Sequence, residues 1–244
     1  MTWAQIGWAF IALAAVLLFV LSLLDKRRCR YPMRKNKALK DFLEQRLTAV
    51  ERGTDRQVVL GDRFWSRAYP ALGLHALAVL PRLTKPEDLA DGRQSLMAGT
   101  GELVVFAQQI VHGNYQGGFS EALPVTLPGP TPFSFLAGFI PEVGQRQPGS
   151  VGLLGNYGAT AALMNEAVAM QGGHTFAAAG SITAQASLYL NLQALLIGEE
   201  VFMLPGGIEP THQDLAGWVT EDILRLVLIA LLVVAAGLKM AGVI

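Results

Sequence analysis

VGLLGNYGATAALMNEAVAMQGGHTFAAAGS, residues 151–181, is the stretch whose reading decides the fold. Residues 151–154 form a continuous apolar run that ends at Gly155, and residues 160–170 follow with the composition of a helix. A second apolar run, 176–179, then ends at Gly180. Strand, crossover helix and strand in that order make one βαβ unit, and apolar runs without polar alternation suit strands covered on both faces. Residues 176–179 are alanine-rich, so a helix is the competing assignment there.

The same rhythm extends in both directions. Residues 58–60 end at Gly61, 96–98 at Gly99 and 195–197 at Gly198, with a weaker run, 125–127, before Pro128 and Gly129. The segments 69–80, 103–111, 132–139 and 183–192 read as the intervening helices. Two starts carry capping signals: Thr84-Lys85-Pro86-Glu87, and Thr131 followed by Pro132. Six prolines between residues 124 and 148 point to a distorted βα unit, with a lid or a docking surface as the alternatives. The expected class is α/β, with a Rossmann-like, mostly parallel sheet of five or six strands.

Outside this region the chain changes character. Residues 3–24 contain no charge and would span about 33 Å as a helix, against a hydrocarbon core of about 30 Å. Lys26, Arg27, Arg28, Arg30, Arg34, Lys35, Lys37 and Lys40 follow, which places that side of the span in the cytoplasm and offers contacts to anionic lipid headgroups. Residues 223–238 are a second apolar run whose one charge is Arg225, entered from Thr211 and Asp214 at capping-box spacing. The expected organisation is a transmembrane helix over 1–24, a basic juxtamembrane segment and amphipathic helix over 25–53, a cytoplasmic α/β domain over 54–210 and a long helix entering the membrane over 211–244. Both termini then lie outside the plasma (inner) membrane. A buried or interfacial helix is the alternative for the last segment.

Charge is unevenly spread. From Gln94 to Thr220 there is no lysine and one arginine, Arg146, although the chain as a whole balances 19 basic against 19 acidic residues. So charge-poor a stretch implies surface hidden against itself, lipid or another subunit. The basic residues sit beside the predicted span, which argues against nucleic acid as a partner. One cysteine, Cys29, rules out an intramolecular disulfide and a cysteine-based metal cluster.

In open parallel sheets, ligands bind beyond the carboxyl ends of the strands. Gly99, Thr100, Gly101, Gly155, Asn156, Gly180, Ser181 and Glu199 are therefore the candidate ligand-binding residues. Glycine after a strand is equally ordinary turn chemistry. Gly99-Thr100-Gly101 lacks the third glycine of the dinucleotide fingerprint, and no Walker sequence or Gly-x-Ser-x-Gly elbow is present. No cofactor is expected. His75, His112, His174 and His212 lack metal-ligand spacing. Catalysis would fall to Glu199, Glu200 or His174, with Glu166 a buried structural carboxylate if it is paired.

Taken in order, the opening strand and glycine, Gly155-Asn156-Tyr157-Gly158 with Glu166, Gly180-Ser181, Gly198-Glu199-Glu200 and Glu221-Asp222 running into a last span give the chain a resemblance. It resembles an uncharacterised family of bacterial membrane proteins, in which terminal transmembrane helices flank a Rossmann-like domain. Gly61-Asp62-Arg63 departs from the Gly-Thr-Gly turn associated with that family, and the resemblance implies no activity. The expected function is that of a membrane-anchored, self-associating scaffold module. A small-molecule sensor using the glycine crevice and a membrane-bound enzyme are the alternatives.

Overall fold

The computed structural model describes residues 36–62, 71–85, 92–114, 123–192 and 194–240, together with 14, 16, 19 and 20. The chain divides into two compact units, residues 35–208, and 1–34 with 209–244.

The first unit is an α/β domain around a six-stranded sheet in which every pairing is parallel. Its elements are α1 (Lys37–Glu51), β1 (Arg56–Leu60), α2 (Leu72–Leu83), β2 (Gln94–Ala98), α3 (Gly101–Asn114), β3 (Val125–Thr126), α4 (Pro132–Arg146), β4 (Ser150–Gly155), α5 (Thr160–Met170), β5 (His174–Ala179), α6 (Ile182–Tyr189) and β6 (Leu195–Leu196). A 3-10 helix, Gly198–Met203, and α7 (Leu204–Ile208) complete it. The strand order is β3-β2-β1-β4-β5-β6, which sets the topological switch point between β1 and β4. This is the Rossmann-like sheet that the glycine-punctuated runs predict, and the alanine-rich run 176–179 lies within strand β5.

Strand alternation sends one set of side chains to each face. Val58, Leu60, Leu96, Ala98, Leu154, Phe176 and Leu196 join one core layer with Leu39 and Phe42 of α1, Leu80 of α2 and Leu103 of α3. Val59, Met97, Val151, Leu153, Ala177 and Leu195 join the other with Phe139 of α4, Met164 of α5 and Leu188 of α6. Both faces are covered, which is why the strands are apolar without a break.

α1 is part of this unit. Asn36 caps its start and Gly53, at φ +63°, follows its end. Phe42 stacks on Phe176 with ring centroids 4.4 Å apart, in the space left by Gly152, where an added Cβ would meet the Phe42 ring at 3.1 Å. Buried Arg46 donates to the Leu83 carbonyl at the end of α2 (3.0 Å), placing a cation at a helix C-terminus.

The capping expectations have separate outcomes. Thr131 and Ser134 form a reciprocal capping box at α4. The Thr84 hydroxyl donates back to Leu80 at the end of α2 (2.8 Å), and the helix start expected at 86–87 lies outside the described residues. The proline-rich segment is a distorted βα unit, with β3 reduced to two residues before α4.

In the second unit, α8 (His212–Met240) runs for 29 residues and opens with the expected box, in which the Thr211 hydroxyl and Asp214 exchange hydrogen bonds. Its first half carries Asp214, Glu221, Asp222 and Arg225, with Arg225 bridging Glu221 at 3.6 Å. Side chains from residue 234 onward lie outside the described residues, as does nearly all of 1–24. Among the described residues, no helix is long and apolar enough to cross a membrane.

Candidate functional site

The loops after β1, β2, β4 and β5 meet at the carboxyl end of the sheet, where their described residues pack against one another at the switch point. The Gly61 N–H donates to Leu154 (2.8 Å), and a Cβ at Gly61 would lie 2.5 Å from the Asn156 main chain. Gly155 adopts φ +119°, a left-handed conformation that favours glycine, with the Gly61 nitrogen 3.0 Å from where its Cβ would stand. Gly99 abuts the Asp62 backbone, and Gly180 abuts the Leu72 side chain while donating its N–H to Gly155 (3.2 Å). At Gly61, Gly99 and Gly155 the close approach is of loop to loop, and at Gly180 it is of loop to helix.

Polar side chains lock the arrangement. Tyr157, 3% exposed, donates its hydroxyl to the Val59 carbonyl at 2.6 Å. Burial, and then the negative charge of Asp62, hold its phenol well above the usual tyrosine range, so it stays protonated. The Thr160 hydroxyl donates to Asp62 (3.4 Å). Ser181 donates to the Tyr157 carbonyl (2.6 Å) and accepts from Ala184, capping α6. Gln185 donates to Ala179 (2.7 Å) and accepts from the Gly198 N–H (3.4 Å). A proton engaged by a main-chain acceptor, next to a buried carboxylate, describes a structural clasp rather than an acid poised over substrate.

The candidate residues thus fall into groups. Gly155, Asn156, Gly180 and Ser181 come together in the clasp, and Gly99 reaches it through Asp62. Thr100 uses its hydroxyl to accept from Leu103 at the start of α3 (3.4 Å), and Gly101 opens that helix on the exposed surface with no atom near its Cβ position. The exposed carboxylate of Glu102 also sits in that first turn, which disfavours an anionic ligand there. Glu199 is exposed on the 3-10 helix after edge strand β6, four strands from the β2 loop, or about 19 Å at sheet spacing.

Glu200 accepts from the Asn36 carboxamide (3.0 Å), while His174 begins β5 at the opposite end of the sheet. The imidazole and the carboxylate pair are therefore dispersed. Glu166 is exposed on α5. His75 is a packing residue, edge-on to Phe202 and within 3.0 Å of the Val201 carbonyl. Among the described residues, no group of three or more His, Cys, Asp or Glu could hold a metal ion.

A cavity of about 410 Å³ lies at the amino ends of the strands, lined by Asp41, Gln45, Asn165, His174, Thr175 and Asn191 among others. Among the described residues β6 pairs only with Ala177 and Ala178, and the cavity opens beside the start of β5. Sequence reading missed it, since a strand only two residues long carries no periodicity. Tyr157, Thr160 and Gln185 were also not among the candidates; the one signal for the first was a bulky aromatic set between Gly155 and Gly158. Comparison with known proteins finds no matching family model, no similar curated protein and no similar solved structure.

Proposed function

We propose that this chain is a membrane-anchored α/β module that self-associates and serves as a structural component of a membrane assembly. The observation that carries the reading is a groove of about 460 Å³ between α2 and α3, whose described lining residues, Leu74, Leu77, Pro81, Phe106 and Ile110 among them, include no charged side chain. Leu74 and Phe106 are 53% and 45% exposed there, and Val105 beside them is 56% exposed. An apolar surface of this kind suits a second copy of the chain.

Anchoring rests on the uncharged run 3–24 and its basic flank, with the apolar end of α8 as a second span. Two anchors suit the α/β domain, because its first and last residues emerge together. Asn36 bonds Glu200, and Gly207 abuts Leu39 in the first turn of α1. On this reading the α/β domain is cytoplasmic and both termini are outside. The loops packed together at the switch point and the dispersed titratable groups favour a structural role over a sensor of the glycine crevice or an enzyme.

The full chain, retained in membranes through an alkaline wash and then extracted in detergent, is expected to give oligomers by native mass spectrometry. Phe106→Asp and Leu74→Asp should shift it to monomers. A wild-type chain that is washed off the membrane, or that is monomeric at every concentration, overturns the reading.

A further inference from the structure

The cavity at the amino ends of the strands lies apart from the groove and from the clasp. We propose that it is a binding site for a small amide-bearing molecule, neutral or singly cationic, that lies along the open edge of β5 as a short added strand.

The backbone supplies the first part of the argument. Ala177 donates its N–H to Ala194 (3.0 Å), at the point where β6 begins. Alternation in a parallel ladder directs the N–H and C=O of Thr175, two residues earlier, toward the same side. Among the described residues β6 does not extend that far, and Thr175 lines the cavity. An extended amide is the chemistry that continues a sheet at such an edge.

Side chains supply the second part. Thr175 is 8% exposed, and its hydroxyl is buried with no partner among the described residues. Asn165 is 5% exposed and lines the same cavity, so what its carboxamide meets beyond the protein is the cavity itself. Buried polar groups of this kind ordinarily find partners. Gln45 and Asn191 bring two further carboxamides, each a donor and an acceptor. Charge then selects among ligands. Asp41 contributes a carboxylate, and no lysine or arginine lies among the described lining residues, which disfavours an anion. The volume of about 410 Å³ is within the roughly 300–1,000 Å³ of small-molecule sites.

The test is isothermal titration of the full chain in detergent with three probes of different charge on one dialanine amide core: N-acetyl-dialanine amide (neutral), dialanine amide (cationic) and N-succinyl-dialanine amide (anionic). Saturable binding of the first two is expected, with the anionic probe weaker by about tenfold or more, an estimate for one unscreened carboxylate at close range. Asn165→Leu should weaken the neutral probe about tenfold. Gln45→Ala, on the half-buried side of α1, should weaken it without disturbing the core. Asp41→Asn should erase the preference for the cation. The proposal is overturned if no probe binds saturably up to about 10 mM, a generous limit for so small a ligand. Equal binding of all three probes overturns it as well, as does binding that survives both Asn165→Leu and Gln45→Ala. These results are independent of oligomeric state.

Discussion

Gly155 and Gly101 look alike in the sequence, each a glycine just beyond an apolar run, and the tertiary structure separates them. Gly155 is held at φ +119° against the Gly61 backbone, whereas Gly101 has open space at its Cβ position and opens a helix. Gly155→Ala should cost about 1–3 kcal/mol, from the forced backbone conformation. Gly101→Ala should gain about 0.4–1 kcal/mol by restricting the unfolded chain. Denaturation midpoints of the two variants measure the difference, and equal shifts would mean that the loop packing is misassigned. Tyr157 makes the second argument at this scale. Its hydroxyl bonds Val59, so Tyr157→Phe should destabilise by about 1–2 kcal/mol at neutral pH. Its folded pKa is raised above the ordinary value of 10.0, by burial first and then by Asp62. The stabilisation is therefore complete below about pH 10 and is lost as the pH rises through the raised value. Wild type should lose stability above pH 10 more steeply than Tyr157→Phe, a difference that denaturation curves at increasing pH will read.

At the scale of elements, the strands and helices of the sheet were legible because each strand is buried on both faces and each ends in a residue that permits a sharp turn. Residues 151–154 and 195–197 announce strands by the same signal, yet β4 runs six residues and β6 only two. Length is set by the neighbours available for pairing, and β6 is an edge with one neighbour. The 3-10 helix after it was not legible, since Gly198-Glu199-Glu200 carries no apolar period. α1 was legible as an amphipathic helix, but its partner was not, because amphipathicity states that a face is buried without saying against what. The partner is the sheet and the end of α2, where Arg46 donates to Leu83. Arg46→Met keeps much of the stem and removes that charged hydrogen bond. It should cost about 1.5–3 kcal/mol and raise amide exchange in α1 and in the last turn of α2. Unchanged exchange in both elements would show that Arg46 does not tie them together.

For the whole molecule, the distribution of charge matters more than its total. The chain is neutral overall, yet the part from Gln94 to Thr220 keeps a single basic residue, Arg146, and that one is paired with Asp55 and Glu142. The groove between α2 and α3 belongs to this economy, and the loss of oligomers expected for Phe106→Asp is an argument at this scale, since one carboxylate in an uncharged contact is costly to desolvate. The sequence by itself determined the α/β class, the parallel sheet and the positions of its turns, because period, burial on two faces and glycine placement are local properties of the chain. It also marked the uncharged terminal run and its basic flank. Only the tertiary structure decided that the carboxyl-end loops close on one another through Gly61, Gly99, Gly155 and Gly180, and that a cavity opens instead beside β5. The physical reason is that glycine permits close approach without naming what approaches, and whether that is a ligand or a neighbouring loop depends on distances between segments that lie far apart in the chain.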